Sequence, residues 1–203
     1  ADGKIKVNGN VIRETGYGIN PEKDIISLKD LSITPKEALL VYKPRGIETT
    51  KTSPENKDIH DRLPALVHLS PIGRLDKDSE GLIILSNDGT LARALTKENS
   101  AVEKEYLVFV RELVTPDAVN KLASGIMLDK IKTKRAIVKK VSKSSFTIVL
   151  TEGRKHQIRR MCDACRLTIE SLVRIRIGHL KIASMKPGFV KRISAKDIEL
   201  LKK

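Results

Sequence analysis

The chain has 203 residues, of which 40% are hydrophobic and 32% are charged. This length is enough for one large domain, or for one domain with a small appendage, and the composition is typical of a globular protein with a core. No apolar run approaches the roughly 20 residues that cross a bilayer, and no signal-peptide pattern opens the chain. We therefore expect a cytoplasmic protein without a membrane span, and a monomer by default.

The positive charge is concentrated in the C-terminal third. The net charge is +14, and residues 131–203 contain 20 basic and 5 acidic residues. Lys and Arg at this density attract polyanions, because each neutralised phosphate releases counterions. Nucleic acid is thus the favoured partner class. A basic, solvated face that only keeps the protein in solution is the alternative.

The predicted elements alternate along the chain. Residues 4–30 form short strands around the Asn8-Gly9 turn, and a linker with Pro35 leads into a strand at Ala38–Tyr42. Hydrophobic periodicity then predicts strands at Gly81–Leu85, Lys104–Val110, Arg135–Val141, Ser145–Leu150 and Ser171–Leu180. It predicts helices at Thr90–Lys97, Pro116–Ala123, His156–Cys165 and Ala195–Lys202.

The connections between these elements indicate the fold class. Residues 135–141 and 145–150 are joined by too few residues for a parallel crossover, which needs a dozen or more. The two strands must therefore pair antiparallel. We expect an α+β fold with a mixed, mainly antiparallel central sheet flanked by helices.

Three segments carry candidate chemistry. Residues 71–81 (PIGRLDKDSEG) form a charged, glycine-containing loop before an apolar strand, a common position for a catalytic carboxylate. Composition alone would also fit a solvated connection. Residues 103–108 (EKEYLV) and 150–161 (LTEGRKHQIRRM) complete the set. Read together and in this order, the three segments resemble the pseudouridine synthases, most closely the RsuA/RluF branch that modifies ribosomal RNA.

The resemblance covers roughly residues 38–200 and implies roles for individual residues. It implies that Asp76 is the catalytic aspartate, that Tyr106 packs against the target base, and that Arg159 is the basic partner of the aspartate. Residues 172–178 match the closing strand of the family and support the pseudouridine synthase fold. His156 is expected to be a structural residue at a strand-to-helix junction, and not a general base.

The implied reaction explains these residue types. Pseudouridine forms when the N1–C1′ bond of uridine breaks, the uracil turns, and C5 joins C1′, with no net redox change or hydrolysis, so no cofactor or metal is expected. Asp76 could act as a nucleophile or as a base that removes the 2′ proton. Enclosure with the nucleoside disfavours a charged carboxylate, and we expect the guanidinium of Arg159 to offset that cost. A stacked uridine must also be flipped out, and Tyr106 offers a flat ring for it.

The expected RNA contacts are basic, because the chain has three Phe, three Tyr and no Trp. Ribosomal RNA is the expected partner, with tRNA as an alternative. The residues expected to hold its phosphates are Arg74, Lys104, Lys132, Lys134, Arg135, Arg154, Lys155, Arg160 and Arg174.

The N-terminal residues depart from the family pattern. Residues 3–9 resemble the last strands of an S4 RNA-binding domain, but the basic helices that normally precede them are absent. We expect residues 1–33 to be a truncated or processed S4-like remnant and residues 34–203 to be the catalytic domain.

Two rival functions each fit part of the sequence. A non-catalytic RNA-binding or ribosome-associated protein would suit the basic charge, but it has no need for all three catalytic motifs. A methyltransferase would need a glycine-rich nucleotide fingerprint, which the sequence lacks. Cys162 and Cys165 have zinc-like spacing without a second pair, so no metal site is expected there.

Overall fold

A computed structural model describes residues 5–20, 23–28, 35–97 and 100–203. The chain divides into two units, Ala1–Pro35 and Lys36–Lys203. The division falls two residues after the boundary expected from the sequence.

The N-terminal unit contains a three-stranded antiparallel sheet. Its strands are β1 (Ile5–Val7), β2 (Asn10–Ile12) and β3 (Ile26–Leu28), in the order β2-β1-β3. Asn8 and Gly9 both adopt positive φ, which a tight hairpin turn requires. The Asn8 side chain also donates to Asp24 and accepts from the Ile25 amide, so it fixes the turn against the segment before β3. The predicted turn is confirmed.

The larger unit holds the remaining elements. Its first half contains β4 (Ala38–Lys43), α1 (Ile59–Arg62), a short 3-10 helix (Pro64–Leu66), β5 (Ser70–Ile72), β6 (Glu80–Ser86), α2 (Gly89–Thr96) and β7 (Lys104–Val110). Its second half contains α3 (Pro116–Ser124), β8 (Met127–Leu128), β9 (Ile131–Lys132), β10 (Ile137–Ser142), β11 (Ser145–Leu150), α4 (Gln157–Ala164), β12 (Ile169–Ile177), β13 (Leu180–Lys181), β14 (Val190–Arg192) and α5 (Ala195–Lys202).

A nine-stranded sheet forms the centre of this unit. Its main path runs β10-β11-β7-β12-β6-β4-β14, with β5 paired to β6 and β13 paired to β12. Only the β12–β6 pair is parallel among the described strands of this sheet. The predicted α+β class, with its mixed and mainly antiparallel sheet, is confirmed.

Helices cover the sheet and enclose three apolar clusters. Residues from α3 and α4 pack on β7, β11 and β12 around Phe146 and Met161. On β4 and β6, alternate residues face α2 and α5 on one side and α1 on the other. Strand β6 is therefore buried on both faces, and six of its seven residues are buried. Such a strand is a rigid support for the loop that precedes it.

No helix within the described part of the chain is both long enough and apolar enough to span a membrane.

Candidate active site

Asp76 lies in the loop that connects β5 to β6. Leu75, immediately before it, is buried, and Thr49 holds the Leu75 backbone with one hydroxyl. This hydroxyl donates to the Leu75 carbonyl at 2.7 Å and accepts from the Leu75 amide at 2.9 Å. After Asp76, the Ser79 amide donates to the Asp76 carbonyl at 3.1 Å, which closes a turn. The backbone is thus held by hydrogen bonds on both sides of the Asp76 side chain.

The carboxylate of Asp76 faces the N-terminal end of α4. One of its oxygens lies 3.3 Å from Nδ1 of His156 and 3.7 Å from Nε of Arg159. The side chain of Asp76 is 37% exposed, so the carboxylate remains open on one side. A helix N-terminus and a guanidinium both favour negative charge. The arrangement therefore places positive charge beside the Asp76 carboxylate.

His156 has a larger part in the site than the sequence indicated. It occupies the N-cap of α4 with φ +52°, in the left-handed region that non-glycine residues rarely adopt. In this backbone conformation, the His156 ring lies close to the Asp76 carboxylate. Its expected position at a strand-to-helix junction agrees with the structure, but its contact with the carboxylate was not predicted. Strained backbone of this kind is common where a side chain must be aimed at a site.

Arg159 makes two contacts within the site. Besides Asp76, it reaches the buried Ser79, to whose hydroxyl Nη2 donates at 3.2 Å. The Arg159 side chain is 27% exposed. The structure thus brings Arg159 to Asp76 as predicted, and both side chains of the pair are partly exposed. Since α4 begins at the open end of the loop, water reaches both partners.

Lys43 is a buried cation that the sequence analysis did not single out. It is fully buried at the end of β4, and Nζ donates to the carbonyls of Pro44 at 2.9 Å and Ile47 at 2.7 Å. Burial lowers the pKa of Lys43 to about 8, although the negative charges of Asp76 and Glu80 act in the opposite direction. The lysine therefore contributes positive charge beneath the Asp76 loop.

Tyr106 belongs to the same region of the sheet. In β7 it pairs with Arg174 of β12, and Arg174 in turn pairs with Gly81 of β6. Tyr106 and Gly81 are therefore two strands, or roughly 10 Å, apart. The Tyr106 ring is half-buried against the core cluster of α3 and α4. Through these cross-strand pairs, Tyr106 is connected to β6, the strand that follows the Asp76 loop.

The residues expected to contact RNA fall into two groups. Five of them are exposed and present positive charge toward solvent: Arg74, Lys132, Lys134, Arg135 and Lys155. Lys104 is half-buried, and burial, together with the charge of Arg174, lowers its pKa. Arg174 is only 5% exposed, so the phosphate contact expected for it is not available. It lies inside the sheet because β12 is a central strand.

Arg154 and Arg160 are engaged within the protein. Arg154 donates to the carbonyls of Ile131 and Lys132 at 3.1 and 3.0 Å, and Arg160 pairs with Asp129 at 2.7 Å. Both contacts join the β8–β9 hairpin to the end of α4 that carries His156 and Arg159. These contacts therefore link the β8–β9 hairpin to α4, and the two arginines are only partly free to bind RNA.

In the part of the chain that the structure describes, no three His, Cys, Asp or Glu side chains form a group that could hold a metal ion. The Cys162 thiol is buried, and burial raises its pKa to about 12, so it is a poor nucleophile and a poor ligand.

Known proteins are similar to this chain in sequence and in fold. A family model described as RNA pseudouridylate synthase matches residues 37–164. An uncharacterized RNA pseudouridine synthase of Mycobacterium leprae (strain TN) is 30% identical over 214 residues, which cover 100% of this chain and 84% of that protein. Ribosomal large subunit pseudouridine synthase B of Bacillus subtilis (strain 168) is 30% identical over 213 residues, covering 99% of this chain and 86% of that protein.

Two further comparisons extend this result. Dual-specificity RNA pseudouridine synthase RluF of Escherichia coli (strain K12) is 34% identical over 192 residues, covering 92% of this chain and 65% of that protein. A crystal structure of a pseudouridylate synthase superposes with a TM-score of 0.79 at 28% identity, covering 98% of this chain and 89% of that chain. The fold and these similarities define an RNA-modifying isomerase. The chain belongs to the RNA pseudouridylate synthase family, as its motifs predicted.

Proposed function

We propose that this protein isomerises specific uridines of ribosomal RNA to pseudouridine, with large-subunit RNA as the favoured substrate. The name of the Bacillus subtilis relative supports a large-subunit substrate. The name of the Escherichia coli relative gives a dual specificity, and tRNA is the alternative substrate. The predicted cytoplasmic location and monomeric state stay predictions.

The observation that carries the proposal is the Asp76 carboxylate, held open to solvent beside His156 and Arg159. A flipped uridine placed over it would expose C1′ to the carboxylate. The N1–C1′ bond breaks, the uracil turns, and C5 bonds to C1′; the C5 hydrogen then leaves as a proton and N1 takes one up. Asp76 acts either as the nucleophile at C1′ or as the base at the 2′ position. Tyr106 is proposed to pack against the displaced base.

RNA is proposed to bind through exposed basic residues of the Asp76 loop, of the segment that leads into α4, and of the β8–β9 hairpin and the residues just after it. Arg74 lies two residues before Asp76, and Lys155 lies one residue before His156, so both flank the carboxylate. Lys132, Lys134 and Arg135 lie at the end of the β8–β9 hairpin and just after it, and this hairpin is linked to α4. The three-stranded N-terminal unit is proposed to be a piece of an S4-like RNA-binding domain.

The test uses RNA transcripts tritiated at C5 of uridine, because bond formation at C5 releases tritium to water. We expect release from large-subunit ribosomal RNA to reach a plateau at a small whole number of sites. Small-subunit RNA and tRNA serve as competing substrates. Release only from small-subunit RNA or only from tRNA would overturn the proposed substrate, and no release from any RNA would overturn the proposed reaction of this chain.

A further inference from the structure

Arg174 is buried in the middle of the sheet without a carboxylate partner among the described contacts. It is 5% exposed and lies in β12, between Gly81 of β6 and Tyr106 of β7. Gly81 fits closely against it, since a Cβ at Gly81 would lie 2.3 Å from the Arg174 carbonyl oxygen. Central strand positions normally hold apolar side chains, and a buried charge is disfavoured unless it is well paired. The guanidinium therefore calls for an explanation beyond packing.

Its hydrogen bonds reach both ends of the Asp76 loop. Nε donates to the Leu82 carbonyl at 2.6 Å, and Nη1 lies 3.4 Å from the Arg74 carbonyl. Arg74 lies two residues before Asp76, and Leu82 lies six residues after it. One rigid, planar group thus joins the strand that follows the loop to the backbone that enters it.

The third guanidinium nitrogen of Arg174, Nη2, differs from the other two in its hydrogen bonding. Among the residues described, Nη2 is the one buried side-chain nitrogen or oxygen atom that has no hydrogen-bond partner. The charge of Arg174 acts on Lys43 and on Lys104, and it contributes to the lowered pKa of both lysines. The sheet beneath the loop therefore holds three cations in a group. Asp76 and Glu80 are among the negative charges that act on Lys43 in this group, so the buried cations lie close enough to the loop to interact with its carboxylates.

We propose that Arg174 is a positioning residue for Asp76, which fixes the backbone on both sides of the catalytic loop and supplies buried positive charge beneath the carboxylate. The inference rests on the pseudouridine synthase activity of this chain. It differs from the phosphate contact expected from the sequence, because RNA cannot reach a buried guanidinium. It also differs from the part of Arg159, which approaches the carboxylate from the open side.

The test compares Arg174→Met, Arg174→Lys and a matched control, Arg176→Met. Arg176 lies two residues along the same strand and pairs with Glu103 and Glu105, so its replacement removes an equal charge without touching the Asp76 loop. Each variant is assayed for kcat and KM by tritium release, and for folding by thermal unfolding. Displacement of a catalytic group by about 1 Å can reduce the rate about 100-fold.

We expect Arg174→Met to lower kcat by about 100-fold with little change in KM, because RNA binding does not involve this residue. Arg174→Lys keeps the charge and one donor, so its kcat should lie between those of Arg174→Met and the wild type. Arg176→Met should retain the wild-type kcat even if its melting temperature falls as much as that of Arg174→Met. If Arg174→Met does not fold, Arg174→Lys decides the question by the same comparison with Arg176→Met.

Two results would overturn the inference. One is a kcat for Arg174→Met, or for Arg174→Lys when only that variant folds, that equals the kcat of Arg176→Met. The other is an effect on KM alone, which would assign Arg174 to RNA binding. Both results require an active wild-type protein. An inactive wild-type protein would instead contradict the proposed function, so the two failures are distinguishable.

Discussion

The hydroxyl of Thr49 makes both hydrogen bonds of the Leu75 backbone, one as donor at 2.7 Å and one as acceptor at 2.9 Å. Thr49 is 2% exposed, so water cannot replace it. The residue that follows Leu75 is Asp76. A buried side chain 26 positions upstream of Leu75 in the sequence therefore holds the backbone from which the Asp76 carboxylate projects.

This relationship predicts the effect of Thr49→Val. The substitution keeps the shape of the side chain but leaves a buried amide and carbonyl unpaired, which should lower the free energy of unfolding by about 1–3 kcal/mol. Activity should fall as well, because the Asp76 backbone is no longer supported. Thr49→Ser, which keeps the hydroxyl, should restore much of the stability and of the activity. Urea unfolding and tritium release measure the two effects; equal activity in Thr49→Val and Thr49→Ser would contradict the account.

The second prediction concerns the Asp76–Arg159 pair. Because both side chains are partly exposed, a double-mutant cycle of Asp76→Asn and Arg159→Ala should give a coupling of at most about 1 kcal/mol in unfolding free energy. Activity should nevertheless drop sharply in Arg159→Ala and partly recover in Arg159→Lys, which keeps the charge. A coupling of about 3–5 kcal/mol would indicate a fully buried pair and contradict the observed geometry.

Lys43 gives a prediction about pH. Its pKa is about 8 in the folded protein, below the ordinary value of 10.5, so the unfolded chain binds more protons between these two pH values. The contribution of Lys43 to stability should therefore rise as the pH increases from 8 to 10.5. Urea unfolding of the wild type and of Lys43→Met across this pH range measures this increase in the free energy of unfolding. The increase should be absent from Lys43→Met. Lys139→Met, at an exposed position, is the control and should retain it. If the free energy of unfolding of Lys43→Met changed with pH as it does in the wild type, the result would contradict the burial of Lys43.

Salt dependence tests the basic surface. Neutralising Lys132, Lys134 and Arg135 should weaken RNA binding and reduce the slope of log K against log salt by about 0.7–0.9 for each phosphate that the protein no longer neutralises. Lys191 and Arg192 are exposed on β14, at the edge of the nine-stranded sheet opposite β10, and their joint neutralisation is a control that removes two positive charges. An unchanged slope in the first set, or an equal change in both sets, would favour a solvated basic face.

Sequence patterns predicted the regular parts of the fold well. The bounds of β7, β11 and α5 agree with the structure residue for residue, because their apolar spacing and, for α5, the Ser194 cap are clear. The β8–β9 hairpin was missed because Asp129 and Lys130 form its turn at positive φ without a glycine. Strand β5 was missed because Pro71 at its centre is unusual in a strand.

The site was predicted to a different extent. The Asp76–Arg159 contact came from the family resemblance, since nothing in local periodicity brings two residues 83 positions apart together. The supporting contacts of Lys43, Thr49 and Ser79 depend on tertiary packing of buried polar groups, and such positions carry no sequence signal of their own. His156 depends on a positive φ that a histidine rarely adopts. Its approach to Asp76 therefore became visible only in the folded chain.

The most direct test of the central claim is tritium release by Asp76→Asn from RNA labelled at C5 of uridine. The substitution is nearly isosteric and removes the charge that the reaction needs, so release should be abolished while RNA binding persists. Asp78→Asn, an exposed position in the same loop, is the matched control and should remain active. Release by Asp76→Asn within about tenfold of the wild-type rate, a difference of only about 1.4 kcal/mol in the barrier, would contradict the account.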